Sequence, residues 1–229
     1  MAEPKRLVWD LPLRLFHWLF AAGIIASWIT AELEEMELHF WLGYAIIALL
    51  LFRIVWGFIG PRHARFSSFL QRPPAIWRYA RSLMGRAPIT ATAGHNPLGG
   101  LMVLAMILLV GLQAGTGLFA TDDVIWAGPY NPAVSGATAE RLTSIHHANF
   151  DWILAAIVLH ILAIAFYAVV KKQNLVVPMI TGRKLANVVP EHEAIGSSQL
   201  WKALIVLALS SGAVWWLIRS APPPPDLFF

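Results

Sequence analysis

The chain has 229 residues, 58% of them hydrophobic and only 13% charged, with a mean hydropathy of +0.62. A soluble domain carries about a quarter of its residues as charges, so the totals indicate an integral membrane protein and not two soluble domains. There is no cysteine, which excludes disulfides, iron–sulfur clusters, thiolate zinc and haem bound covalently through Cys-x-x-Cys-His. The net charge of +4 gathers on no soluble basic face, so nothing supports nucleic-acid binding.

A polar N-terminus, residues 1–10, leads straight into a first apolar run at 11–30. No short hydrophobic region with a small-residue cleavage site precedes it, so no removable signal peptide is expected. Pro12 suits a first helical turn, and Arg14 and His17 follow. The run ends in an acidic loop with Glu32, Glu34, Glu35 and Glu37. A second run at 39–59 has His39 at its mouth, Arg53 in its last third, and Gly57, Gly60 and Pro61 at its close. The segment 61–96 carries Arg62, Arg65, Arg72, Arg78, Arg81 and Arg86 and no acid; its part 75–84, with Trp77 and Tyr79, reads as an amphipathic surface helix.

The third run, 97–119, is entered through Gly94-His95-Asn96-Pro97. Its Gly99, Gly100, Gly111, Gly115 and Gly117 permit close approach of a helix or a flat macrocycle. Asp122 and Asp123 open a Gly/Pro-rich loop expected to run to Ser144. The fourth run, 145–167, ends at Lys171-Lys172, and a basic loop with Arg183 and Lys184 follows. A fifth run at 200–218 has no histidine, and Ala221-Pro222-Pro223-Pro224-Pro225 reads as extended polyproline. Eleven tryptophans and four tyrosines suit interfacial belts and cofactor pockets.

Basic residues gather after runs two and four and at Lys5-Arg6, which places these segments and the N-terminus in the cytoplasm. The acidic loops and the C-terminus then face the periplasm, and five spans satisfy every loop.

Histidine spacing carries the functional reading. His146 and His160 lie fourteen residues apart, roughly 40° short of four full turns and about 21 Å along one helix, so both rings leave on nearly the same face. His147 points elsewhere and remains the alternative to His146. Depth pairs His17 with His160 toward the inside and His39 with His146 toward the outside. A lone intramembrane histidine is often only an interhelical hydrogen bond; two depth-matched pairs point to more. Structural zinc gathers four ligands at one place, whereas haem needs two axial ligands per site. Two non-covalent haem b groups therefore fit best, with His17, His39, His146 and His160 as iron ligands.

The segments Phe16-His17-Trp18, Leu38-His39-Phe40-Trp41-Leu42-Gly43, Phe52-Arg53-Ile54-Val55-Trp56-Gly57-Phe58-Ile59-Gly60, Gly94-His95-Asn96-Pro97, the Ile145-His146 to Leu159-His160 spacing and Met179-Ile180-Thr181-Gly182-Arg183 resemble the bacterial cytochrome b561 family. That family includes the cytochrome b subunits of nickel–iron hydrogenases. The resemblance runs over about 8–184. It implies a four-helix di-haem core that exchanges electrons between quinone and another donor or acceptor. It puts the ligands on the same four histidines.

The expected fold is thus an all-α integral membrane protein: a four-helix di-haem transmembrane bundle over 1–185, and a linker, fifth helix and Pro-rich tail over 186–229. Arg14 and Arg53 suit haem propionates, with snorkelling to the interface as the plainer reading. His95 suits a propionate, a quinone carbonyl or a proton relay, or else is an exposed helix-start histidine. Gln113 is expected to bond between helices and Asp151 to bond near the outer haem edge; His63 and His192 lie in polar loops and are assigned nothing. The expected function is electron transfer across the bilayer between quinone and a periplasmic partner, either a c-type cytochrome steered by the acidic loops or a dehydrogenase subunit. A hydrogenase-like complex, a free-standing superoxide:quinone oxidoreductase and an accessory subunit of a larger respiratory or photosynthetic complex are the alternatives.

Overall fold

The computed structural model describes residues 3–85 and 91–223, and of Met84 only the backbone. Among the described residues five helices are long and apolar enough to cross a membrane: α1 Leu11–Glu32, α2 Met36–Ile59, α5 Pro97–Gly117, α6 Gly136–Val169 and α8 Leu200–Arg219. The shorter α3 Phe66–Phe69 and α4 Pro73–Met84 lie between α2 and α5, and α7 Val176–Thr181 follows α6. Twenty residues of helix rise about 30 Å, the thickness of the hydrocarbon core. Large apolar side chains on these helices point outward, Leu108, Leu159, Ile161, Leu162 and Leu209 among them. That is costly in water and favourable in lipid. The protein is an all-α multi-pass membrane protein.

Helix α6 corrects one expectation. The loop after Asp123 does not reach Ser144; the helix starts at Gly136, nine residues before the apolar run. Ser135 caps it, its Oγ lying 3.3 Å from the Thr138 N–H and 2.9 Å from the Thr138 hydroxyl. The added turns hold Glu140, Arg141 and Ser144, which form helix readily but leave no mark in hydropathy. His146 is therefore well inside a helix and not at its mouth. Of the Pro-rich tail, Pro224 and Pro225 fall outside the described residues.

The chain forms two compact units. The first comprises the chain up to Trp18, Arg53–Ala105 and Ala156–Val206. In it Lys5–Leu7 pairs antiparallel with Arg183–Leu185, Arg6 opposite Lys184. These strands are too short for period-2 patterning to reveal. Gly182 ends α7 at φ +81°, a left-handed conformation that suits glycine. Its carbonyl accepts the N–H groups of Val8 (2.8 Å) and Trp9 (3.1 Å). The Arg6 guanidinium donates to the carbonyls of Ala186 and Val189, and Ile195 N–H to that of Leu7. Residues beyond 185 thus pack on the N-terminus within this unit.

The second unit comprises Leu19–Phe52, Met106–Ala155 and the chain from Leu207. The Asp122 carboxylate accepts the N–H groups of Val124, Ile125 and Trp126 at 2.8–2.9 Å, and these bonds hold its carboxyl below the usual carboxylate range. The Tyr130 hydroxyl donates to the Leu217 carbonyl at 2.8 Å and ties this loop to α8.

Candidate cofactor site

The structure brings the four histidines together in two pairs. In the first unit His17 of α1 faces His160 of α6, ring centres 6.4 Å apart. In the second, His39 of α2 faces His146 of α6, ring centres 6.3 Å apart. Each pair draws on two helices.

Hydrogen bonds fix the tautomers of the second pair. His39 Nδ1 lies 2.8 Å from the Ser27 carbonyl, and His146 Nδ1 lies 2.9 Å from the Gln113 carbonyl. A carbonyl only accepts, so each Nδ1 carries the proton and each Nε2 keeps a lone pair. This is the usual way a protein orients a metal-bound imidazole. His147 is exposed, whereas the His146 ring is half-buried and turned to His39. In the first pair His17 Nδ1 is buried with no hydrogen-bond partner. Sequence reasoning could not see the Ser27 and Gln113 carbonyls, because a backbone acceptor carries no residue signature. The neighbourhood of His146 does include the expected interhelical bond: Asn149 Nδ2 donates to Gln113 Oε1 at 2.8 Å. Asp151 is exposed.

A prokaryotic cytochrome b561 family model matches residues 8–182. The chain belongs to the prokaryotic cytochrome b561 family. Among its relatives is a probable Ni/Fe-hydrogenase B-type cytochrome subunit of Azotobacter chroococcum mcd 1, 23% identical over 210 residues, 78% of this chain and 88% of that one. Proteins of the same description are similar in Azotobacter vinelandii (22% over 211 residues; 78% and 88% covered) and Bradyrhizobium diazoefficiens (21% over 217 residues; 80% and 87%). No solved structure matches the chain.

A b561-type cytochrome implies b-type haem, and both pairs fit it. With metal–nitrogen bonds of about 2 Å, two imidazoles on opposite sides of one metal have ring centres roughly 6 Å apart. Among the described residues no group of three or more His, Cys, Asp or Glu could hold a metal ion. Gly117 leaves the space that His146 fills: a Cβ there would meet His146 Cε1 at 2.9 Å and Nδ1 at 3.2 Å. The ring cannot yield freely, because its Nδ1 is held by Gln113. Gly117→Ala is therefore expected to tilt this imidazole and cost about 1–3 kcal/mol. A changed haem absorption spectrum and a lowered thermal-unfolding midpoint in detergent check it.

Of the two arginines named from sequence, Arg53 does not snorkel. Arg53 is 1% exposed. Its Nη1 donates to the Ala64 carbonyl at 3.1 Å, and its guanidinium lies over the rings of Phe66 and Phe69. Its Nη2 is buried without a hydrogen-bond partner. Arg14 donates through Nη1 to the Ile180 carbonyl, while its Nε is likewise buried and unpartnered. Two orphaned guanidinium donors in the unit that holds His17 and His160 suit an anion such as a propionate.

His95 is half-buried, not exposed, and its Nδ1 is shielded without a partner. It sits against Trp9 (4.7 Å) and Phe69 (4.6 Å). Burial pushes its pKa down to about 3, so it is neutral at physiological pH. His63 lies nearby. It is 5% exposed, its Nε2 lies 2.8 Å from the Glu193 carbonyl, and burial lowers its pKa. Both rings line a cleft of about 690 Å³ with Arg62, Phe69, Asn187 and Glu193. Part of its wall comes from beyond residue 182, outside the family match.

Proposed function

We propose that this chain moves electrons across the bilayer between a quinone and a partner on the periplasmic side, using two b haems. His17 and His160 hold one, and His39 and His146 the other. The observation that carries the reading is the pair of imidazole facings, 6.4 and 6.3 Å between ring centres, each from two helices. Bis-imidazole haem transfers single electrons and keeps no open coordination position for oxygen. The chain's own part is to orient the rings, through Ser27 and Gln113 in one pair, and to offer Arg14 and Arg53 to the anionic edge in the other.

The cleft beside His95 is the proposed quinone site, on the cytoplasmic side by the distribution of basic residues. A neutral imidazole both donates and accepts, so His95 can bond a quinone oxygen and pass its proton. The partner is a hydrogenase-type dehydrogenase or a c-type cytochrome. The names of the relatives favour the first. Glu34, Glu35, Glu37, Asp122 and Asp123, all exposed or half-buried in the second unit, favour the second by charge.

The test is a reduced-minus-oxidised spectrum with a haem-to-protein ratio, followed by reduction with a soluble quinol. A ratio of two, and haem reduction by the quinol slowed at least tenfold by His95→Phe with both haems retained, are expected. One haem per chain, or unchanged quinol kinetics, refutes the corresponding part.

A further inference from the structure

Helix α4 turns two unlike faces to its surroundings. Ala75, Ile76, Tyr79, Ala80 and Leu83 are half-buried, whereas Arg72, Trp77, Arg78 and Arg81 are exposed. The first set recurs at helical spacing and packs on the protein. Its clearest bond joins the Tyr79 hydroxyl to the Tyr167 hydroxyl at 2.7 Å, near the end of α6. A second tie runs from Lys171 Nζ to the Leu83 carbonyl at 3.3 Å. Both belong to the first unit, so α4 is fixed beside the last turn of a membrane-crossing helix.

The outward face is the unusual part. The Arg81 guanidinium stacks on the Trp77 ring at 5.0 Å, and Trp77 is 60% exposed. Lys172 is exposed where α6 ends, and Lys171 is half-buried beside it. Beside them Val169 (65%) and Val170 (58%) expose apolar surface. No acid occurs between residues 61 and 96 to neutralise these cations. An amphipathic indole, guanidinium and ammonium groups, and an apolar strip at a span's end together suit a molecule with an anionic head and an apolar tail.

We propose that Trp77, Arg78 and Arg81 of α4, with Lys171 and Lys172 at the end of α6, bind the headgroup of an anionic phospholipid whose acyl chains lie along Val169 and Val170. A protein partner is disfavoured because α4 is tied beside the end of a span, where lipid already is. The site holds the lipid by charge and stacking, and α4 thereby anchors to one leaflet. This does not depend on the proposed electron transfer.

The probe is phosphatidylglycerol against phosphatidylcholine. The full-length protein is equilibrated in mixed vesicles of the two, extracted, and its retained lipid counted by native mass spectrometry. Wild type is expected to retain phosphatidylglycerol selectively. Arg78→Gln with Arg81→Gln should weaken that retention about thirtyfold, at roughly a factor of five for each lost surface cation. The control pair Arg141→Gln with Arg183→Gln removes the same charge elsewhere, at exposed positions, and should retain as wild type. Circular dichroism confirms that both variants keep their helices. Equal retention of the two lipids overturns the proposal, as does equal loss in both charge variants. Inorganic phosphate displacing the lipid at millimolar concentration would identify a free-anion site instead and overturn it too.

Discussion

Replacing His39 or His146 by alanine is expected to remove one haem and leave the other, and replacing His17 or His160 to remove the second and leave the first. The reason is geometric. Each pair takes one ring from α6 and one from a different helix, α1 for His160 and α2 for His146. In the proposed di-haem reading, a haem that loses one imidazole loses half its iron–protein bonds, and a chain without cysteine offers no covalent thioether link to hold it. The four single variants should therefore fall into two classes by haem content, each at about one haem per chain. His147→Ala should fall in neither class and keep both. The readout is the pyridine haemochrome ratio together with redox titration, which shows one midpoint potential vanish while the other persists. If His17→Ala and His39→Ala lose the same haem, the pairing is wrong, and with it the reading of both sites. A variant that loses both haems is informative only if its apoprotein keeps the helical circular dichroism of the wild type.

The contrast between those residues and their surroundings shows what a sequence can and cannot reveal here. Hydropathy marked all five spans because burial in lipid demands long apolar runs. Histidine spacing could be read as a pairing because a helix converts residue number into angle and height, and the structure sets His17 beside His160 and His39 beside His146. The start of α6 escaped because Glu140, Arg141 and Ser144 continue a helix outside lipid, where hydropathy is silent. The bonds that orient His39 and His146 escaped because their acceptors are main-chain oxygens of Ser27 and Gln113. His63 escaped for a different reason. Its partner lies 130 residues away in the segment after α7, and no local pattern announces a contact of that range. The basic segment 61–96 was legible as a charge run, but not the Tyr79–Tyr167 bond that fixes which face of α4 it presents.

Asp10 carries the second large effect, and it too was silent in the sequence. The residue is 1% exposed at the entrance to α1. Its Oδ1 accepts the Leu13 N–H at 2.9 Å, as an N-cap does, and the Trp56 indole N–H at 3.0 Å. Trp56 is itself fully buried, so this one oxygen joins the start of α1 to the end of α2 within the first unit. Burial raises the Asp10 pKa, while the hydrogen bonds from Leu13 and Trp56 and the charge of Arg53 pull the other way. A raised carboxyl pKa means that the fold favours the protonated form. The acceptor, then, and not the charge, is what stabilises. Asp10→Ala deletes the cap and the indole's acceptor and is expected to cost about 2–4 kcal/mol. Asp10→Asn keeps an acceptor oxygen and should cost less than half as much. The sign with pH follows from the same shift: relative to Asp10→Asn, the wild type is most stable below the ordinary aspartate range and loses ground as pH rises through the elevated value. Thermal unfolding in detergent across pH 4 to 8, followed by far-ultraviolet circular dichroism, measures all three proteins. Equal losses in the alanine and asparagine variants would show that the negative charge, acting on Arg53, holds this corner of the fold. A wild type that gains on Asp10→Asn with rising pH would say the same. Either result would in turn mean that Arg53 depends on Asp10 for its place and is not available to an anion on the cofactor.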